Sequence, residues 1–126
     1  MQSETQNGIK ISTRKIGFEY EKIALNYLLK KGYIILGKNI YTRFGEIDIL
    51  AKKDNNIYIF EVKGGKSWDG IIDRFSYKKL KRLRQLSELV SLKYDSENVF
   101  IDGILIVTME GTILVFHIKN ILQQGC

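Results

Sequence analysis

Three charged residues interrupt two apolar segments that otherwise have the composition of buried β-strands. Asp48 lies in the segment 47–51, Glu61 lies near the end of the segment 57–62, and Lys63 directly follows that segment. Charged side chains are rare in buried strands unless they are paired or bind a ligand. Two carboxylates and a lysine at this spacing can hold a hard divalent cation or form a structural ion pair.

The spacing predicts that the three side chains share one face of a β-hairpin. Side chains alternate between the two faces of a strand, so Glu61 and Lys63 lie on the same face. A two-residue loop at residues 55–56 places Asp48 opposite Lys63. Glu61 is then a diagonal neighbour of Asp48, about 7–8 Å away. A four-residue loop keeps this parity, whereas a three-residue loop moves Asp48 to the other face unless a β-bulge intervenes.

These residue types support metal-assisted hydrolysis of a phosphodiester bond. Mg²⁺ in proteins is often held by one or two carboxylates together with substrate phosphate, and Mn²⁺ accepts the same ligands. A lysine beside them can orient a water molecule or stabilise negative charge on a phosphate. One cysteine and one histidine are too few for a zinc-type cluster. The alternative is a structural ion pair between the carboxylates and the lysine.

The elements that must position these residues follow from apolar periodicity. Helical spacing predicts one helix over about residues 13–31 and a second over residues 77–94. The resulting order, α-β-β-β-α-β-β, predicts an α/β (α+β) domain with a central mixed five-stranded sheet flanked by helices. Residues 1–12 are expected to form a flexible arm and residues 13–126 a single domain. The five predicted strands cover residues 33–36, 47–51, 57–62, 99–107 and 112–118, and residues 37–44 either continue the first strand in extended form or form a loop.

Basic residues around the predicted site are candidates for phosphate contacts. The first turns of the second helix carry several cations, and most of them must face solvent. A solvated basic face is the common arrangement, and contact with nucleic-acid phosphates is the alternative. Glu21 is either a solvated helix glutamate or a further site residue. The candidate nucleic-acid-binding residues are Arg43, Lys66, Lys78, Lys79, Lys81 and Arg82.

Composition narrows the class of protein. The chain has 126 residues, of which 44% are hydrophobic and 27% charged, as in an ordinary soluble globular domain. No apolar run approaches the roughly 20 residues of a membrane span, and no secretory signal is visible. The net charge of +6 favours a polyanionic partner such as nucleic acid. We therefore expect a cytoplasmic protein that is not associated with a membrane. Its expected partner is nucleic acid, most of all DNA, and a homodimer is a further possibility.

Two short motifs resemble a known family. The sequence Gly45-Glu46-Ile47-Asp48, followed by Phe60-Glu61-Val62-Lys63, resembles the uncharacterised bacterial family UPF0102, also called the YraN family. Similar positions extend over residues 17–120, nearly the whole chain. That family is similar in turn to the restriction-endonuclease-like superfamily and resembles archaeal Holliday-junction resolvases.

The resemblance implies a restriction-endonuclease-like fold and a Mg²⁺- or Mn²⁺-dependent endonuclease acting on DNA, including branched or structured DNA. Asp48 and Glu61 would be metal ligands, and the Val62 backbone carbonyl a further ligand. Glu21 would approach the metal site from the first helix. Lys63 would position the attacking water.

Two departures from the superfamily pattern accompany this resemblance. Ile47 stands where the superfamily often has a proline, and Gly64-Gly65 follow Lys63 where the family usually has polar or basic residues. Two other functions stay open. One is a non-catalytic nucleic-acid-binding module on the same fold, and the other is a protein–protein adaptor whose charged strand residues are structural.

Overall fold

The structure is a computed structural model of the 126-residue chain. It describes residues 5–6, 9–10, 13–67 and 77–121, with side chains over residues 19–67 and 80–121. The helices and strands of this described part are β1 (Thr5–Gln6), β2 (Ile9–Lys10), α1 (Thr13–Lys30), β3 (Ile34–Thr42), β4 (Gly45–Lys53), β5 (Asn56–Gly65), α2 (Tyr77–Tyr94), β6 (Val99–Met109) and β7 (Thr112–Ile118).

Strands β3 to β7 form one sheet in the order β3-β4-β5-β6-β7. Neighbouring strands are antiparallel except β5 and β6, which are parallel and joined through α2. The predicted α+β fold with a mixed five-stranded sheet is therefore confirmed, and β1 and β2 add a separate two-stranded ribbon. The flexible arm over residues 1–12 stays a prediction. Neither of the described helices is long and apolar enough to cross a membrane.

The central strands β4, β5 and β6 are largely buried on both faces because one helix packs on each face of the sheet. In β5, Phe60 belongs to the cluster that contains Ala24 and Leu28 of α1, and Ile59 belongs to the cluster that contains Leu83 of α2. Successive strand residues point to opposite faces, so this division follows directly from the strand conformation. Apolar residues on both faces are typical of a sheet covered on both sides.

Two details of the strands differ from the sequence predictions. Strand β3 continues to Thr42, because a β-bulge between Ile35 and Gly37 keeps the chain paired with β4 beyond the predicted end of the strand. The β4–β5 loop predicted at residues 55–56 is wrong. Lys53 pairs with Asn56, so the loop is at residues 54–55. Each residue of β4 is therefore paired with a β5 residue two positions away from the predicted partner. Because the shift is an even number of residues, the same side chains still share a face of the sheet.

Candidate active site

Asp48 lies at the point where the regular pairing of β4 with β5 stops. The last registered pair is Ile49 with Phe60. One residue beyond it, the Asp48 carboxylate accepts a hydrogen bond from the backbone N–H of Val62 at 2.8 Å. Continuing the register places Asp48 at the level of Glu61 and not, as the predicted loop required, opposite Lys63. The side chain of Asp48 is thereby fixed to β5 beside Glu61.

Glu61 is a buried carboxylate that is paired with two cations. The residue is 3% exposed, and its Oε2 lies 3.6 Å from Lys63 Nζ and 3.6 Å from Arg82 Nη2. Lys63 comes from the same strand and face, whereas Arg82 reaches across from α2. The guanidinium of Arg82 also donates a hydrogen bond to the Glu46 carbonyl at 3.4 Å. The α2 helix therefore contributes a residue to the site that the sequence analysis assigned only to phosphate binding.

Gly45 provides the space that Arg82 needs. A Cβ atom at position 45 would lie 2.7 Å from Arg82 Nη1, and the φ angle of Gly45 is +126°. Both the close approach and the backbone conformation favour glycine over other residues. The Gly45-Glu46 sequence at the start of β4 thus positions a guanidinium from another element.

The environment of Asp48 disfavours the charged form of its carboxylate. Burial and then repulsion from Glu61 raise the pKa of Asp48 from 3.8 to about 7. The Val62 hydrogen bond and the charge of Lys63 act in the opposite direction, and Glu21 adds a smaller rise. A carboxylate whose pKa stays raised beside a lysine is a candidate for binding an additional cation.

Glu21 lies within electrostatic range of Asp48 but is bonded to another residue. The Asn39 side-chain amide donates to both carboxylate oxygens of Glu21 at 3.0 Å and to Glu46 Oε2 at 3.1 Å. This cluster connects α1 with β3 and β4. The sequence analysis gave Asn39 no chemical role, and its spacing offered no signal for this contact. Glu21 as a metal ligand stays a prediction.

The carboxylates of Asp48 and Glu61 suit a metal site that water and substrate complete. Within the described residues, no group of three or more His, Cys, Asp or Glu side chains is arranged to hold a metal ion. The pair Asp48 and Glu61 fits Mg²⁺ or Mn²⁺, because Mg²⁺ usually keeps several waters and is held by one or two carboxylates plus substrate phosphate. The geometry does not fit a closed site built from protein side chains alone.

Three of the other candidate nucleic-acid-binding residues have described side chains, and all three lie at the surface. Arg43 is exposed in the β3–β4 turn, with its guanidinium carbon 4.9 Å from the centre of the Phe44 ring. Lys66 follows β5 and Lys81 lies on α2, and both are exposed. Lys78 and Lys79 lie outside the residues whose side chains are described. Phosphate contact by any of these residues stays a prediction.

A second buried polar cluster lies apart from the site. Asp102 is 2% exposed and bonds through Oδ2 to His117 Nε2 at 2.7 Å and through Oδ1 to the Asn120 N–H at 2.8 Å. The Tyr27 hydroxyl lies 3.0 Å from His117 Nδ1. Both histidine nitrogens therefore have partners, as expected for a strand histidine that serves the core.

Comparison with known proteins shows which family the chain is similar to. Residues 20–106 match the family described as "Uncharacterised protein family UPF0102". A UPF0102 protein of Campylobacter hominis is 40% identical over 91 residues, which cover 71% of this chain and 81% of that protein. A UPF0102 protein of Sulfurimonas denitrificans is 34% identical over 110 residues, covering 86% and 97%. A solved structure described as "Crystal structure of SSO0001" has a TM-score of 0.39 and 16% identity, covering 86% of this chain and 52% of that chain.

Proposed function

The chain belongs to the uncharacterised protein family UPF0102, and from this premise we propose that it is a metal-dependent endonuclease that hydrolyses phosphodiester bonds in DNA. The proposal extends to branched or structured DNA as substrate and to a cytoplasmic setting. The observation that carries it is the pairing of two carboxylates. The Val62 N–H fixes Asp48 at the level of buried Glu61, and burial followed by repulsion from Glu61 raises the pKa of Asp48 to about 7.

The balance of charge supports a cation at this position. Both cations described at the site, Lys63 and Arg82, lie against Glu61, and neither forms a described ion pair with Asp48. Asp48 and Glu61 are the side chains that would hold Mg²⁺ or Mn²⁺. The N–H and C=O of a strand residue point to the same side, so the Val62 carbonyl is expected to face β4 beside Asp48. When bound, the metal supplies activation of water and neutralisation of phosphate charge.

The protein's own residues have separable roles in this proposal. Lys63 extends from buried Glu61 toward solvent, with 24% of its side chain exposed, so its ammonium can donate to a water or a phosphate oxygen. Arg82 is fixed by Glu61 and by the Glu46 carbonyl, so it presents positive charge at a defined place. Preorganised donors of this kind stabilise negative charge that develops on a phosphate during hydrolysis.

A nucleic-acid partner is supported by charge. The chain carries a net charge of +6, and Arg43, Lys66 and Lys81 expose basic side chains. Electrostatic attraction to phosphates supplies most of non-specific nucleic-acid affinity and weakens steeply with salt. The oligomeric state, for which a homodimer is one candidate, is a separate measurement.

A non-catalytic nucleic-acid-binding module is the second candidate, and one observation favours it. Each carboxylate already has a protein partner, because Glu61 pairs with Lys63 and Arg82 and Asp48 accepts the Val62 N–H. An ion-paired scaffold of this kind needs no metal. A cleavage assay separates the two candidates.

The experiment is a cleavage panel of linear, single-stranded and branched DNA, with RNA counterparts, in Mg²⁺, Mn²⁺ or EDTA. We expect metal-dependent cleavage by the wild type and its loss in Asp48→Ala. Lys52→Ala is the matched control, because Lys52 lies on the same strand and is exposed. Binding without cleavage in either metal would identify the module, and absence of both binding and cleavage would favour an adaptor.

A further inference from the structure

A groove with a volume of about 410 Å³ lies between the end of β3 and the C-terminal half of α2. We call it the α2 groove. Its base is apolar and includes Ile47, Leu50 and Val90, and its rim carries Arg43 and Lys93. No acidic residue lines it in the described part of the chain. An apolar base with a cationic rim suits a ligand that has both an apolar surface and negative charge.

The α2 groove adjoins the candidate active site through the backbone of β4. Ile47, 2% exposed, forms part of the groove base and is bonded directly to Asp48. Consecutive Cα atoms are 3.8 Å apart, so the groove base reaches the backbone of β4 within one residue of Asp48. The groove base packs with α2, and Arg82 of the same helix pairs with Glu61. A chain molecule with one unit at Asp48 therefore has a neighbouring unit within reach of the groove.

Two tyrosines line the groove with exposed rings that are not part of the hydrophobic core. Tyr94 ends α2 with 37% of its surface exposed, and Tyr41 on β3 is 80% exposed. Aromatic rings beside cations form the usual surface for single-stranded nucleic acid, because bases stack on the rings and phosphates meet the cations. Lys93, which the sequence analysis did not single out, lies directly before Tyr94.

We propose that the α2 groove binds an unpaired nucleobase of the DNA strand whose phosphate lies at Asp48. The base enters the apolar groove and stacks on Tyr94, while Arg43 and Lys93 contact the adjoining phosphates. A continuous duplex conceals its bases by pairing and stacking, so this site selects DNA with an unpaired nucleotide next to the cleaved bond. The inference rests on the proposed function and names its substrate class.

The test is a binding measurement in EDTA, where metal-dependent cleavage does not interfere. Two labelled duplexes of identical sequence are compared, one fully paired and one with a single unpaired 2-aminopurine. We expect the wild type to prefer the duplex with the unpaired base by about tenfold, the scale of one stacking contact. Tyr94→Ala should lose this preference and retain its affinity for the paired duplex. Tyr94→Phe should keep the preference, and burial of 2-aminopurine should change its fluorescence.

Leu92→Ala is the matched control, because Leu92 lies on the same helix and is 82% exposed. Circular dichroism melts establish that each variant is folded. Equal wild-type affinity for the two duplexes overturns the proposal, as does an equal loss of preference in Leu92→Ala and Tyr94→Ala. A dimer in sedimentation that Tyr94→Ala dissociates, with DNA binding unchanged, would assign the groove to contact between two copies and would also overturn it.

Failure of this inference and failure of the proposed function give different results. Preference for the unpaired base without cleavage in Mg²⁺ or Mn²⁺ refutes the nuclease and leaves the α2 groove as a binding site. Equal cleavage of the paired duplex and the duplex with the unpaired base by the wild type, with the same result for Tyr94→Ala, supports the nuclease and refutes the groove.

Discussion

The Asp48 carboxylate accepts a hydrogen bond from the Val62 backbone N–H at 2.8 Å. A side chain of β4 thus accepts from β5 where a backbone carbonyl of β4 would accept in a regular ladder. The bond holds a carboxylate beside the second carboxylate of Glu61. It also separates two properties of residue 48, because an asparagine keeps an acceptor oxygen for Val62 and removes the negative charge.

Asp48→Asn should leave the metal-free protein as stable as the wild type or more stable, because it relieves repulsion with Glu61 and keeps the Val62 hydrogen bond. The wild type should gain about 2.7 kcal/mol from Mn²⁺ at about a hundredfold excess over its dissociation constant, and the variant much less. Thermal melts of both proteins in EDTA and in Mn²⁺ measure this. A wild-type melt indifferent to Mn²⁺, with a destabilised Asp48→Asn, would indicate an ion-pair scaffold.

The stability of the metal-free protein should fall as pH rises toward neutrality. The pKa of Asp48 is about 7 in the folded protein against 3.8 ordinarily, so between these values the folded state binds more protons than the unfolded state. The free energy of unfolding then decreases from about pH 4 to about pH 7 through this group and levels off above. Urea unfolding of wild type and Asp48→Asn across this range should show a difference that grows with pH. A difference independent of pH would contradict the prediction.

Arg82→Ala should lower the free energy of unfolding by about 1–3 kcal/mol, between the values for exposed and for buried ion pairs. The reason is that Glu61 is 3% exposed and would lose one of its two described cations. Arg84→Ala, an exposed position on the same helix, should stay within about 0.5 kcal/mol of wild type. Urea unfolding compares the two variants, and equal effects would show that the Arg82 pair contributes nothing specific.

Gly64→Ala should destabilise the protein by about 1–3 kcal/mol through overpacking. A Cβ atom at this buried position would lie 2.3 Å from the Cγ and Cδ2 atoms of the Tyr20 ring, so α1 and β5 pack closely there. Removing the ring should relieve the clash, and Gly64→Ala combined with Tyr20→Ala should cost less than the sum of the single variants. A double-mutant cycle measures this coupling, and additive costs would mean that the ring is not the obstacle.

The apolar pattern of the sequence predicted the elements well, because the periods of helix and strand are local properties of the chain. The predicted second helix, residues 77–94, coincides with α2, and the predicted last strand coincides with β7. Strand β3 was underestimated because Gly37 interrupts its apolar pattern. The β-bulge that carries the strand past Gly37 depends on pairing with β4, which no local pattern encodes.

The sequence by itself predicted that Asp48, Glu61 and Lys63 lie close together, because strand alternation has a period of two, and this parity survives the shift of the loop from residues 55–56 to residues 54–55. Only the tertiary structure decided that Asp48 lies at the level of Glu61 and that Arg82 completes the site. The pairing of Arg82 with Glu61 depends on where α2 lies across the sheet. Packing against the core sets that position, and no spacing within either element reports it.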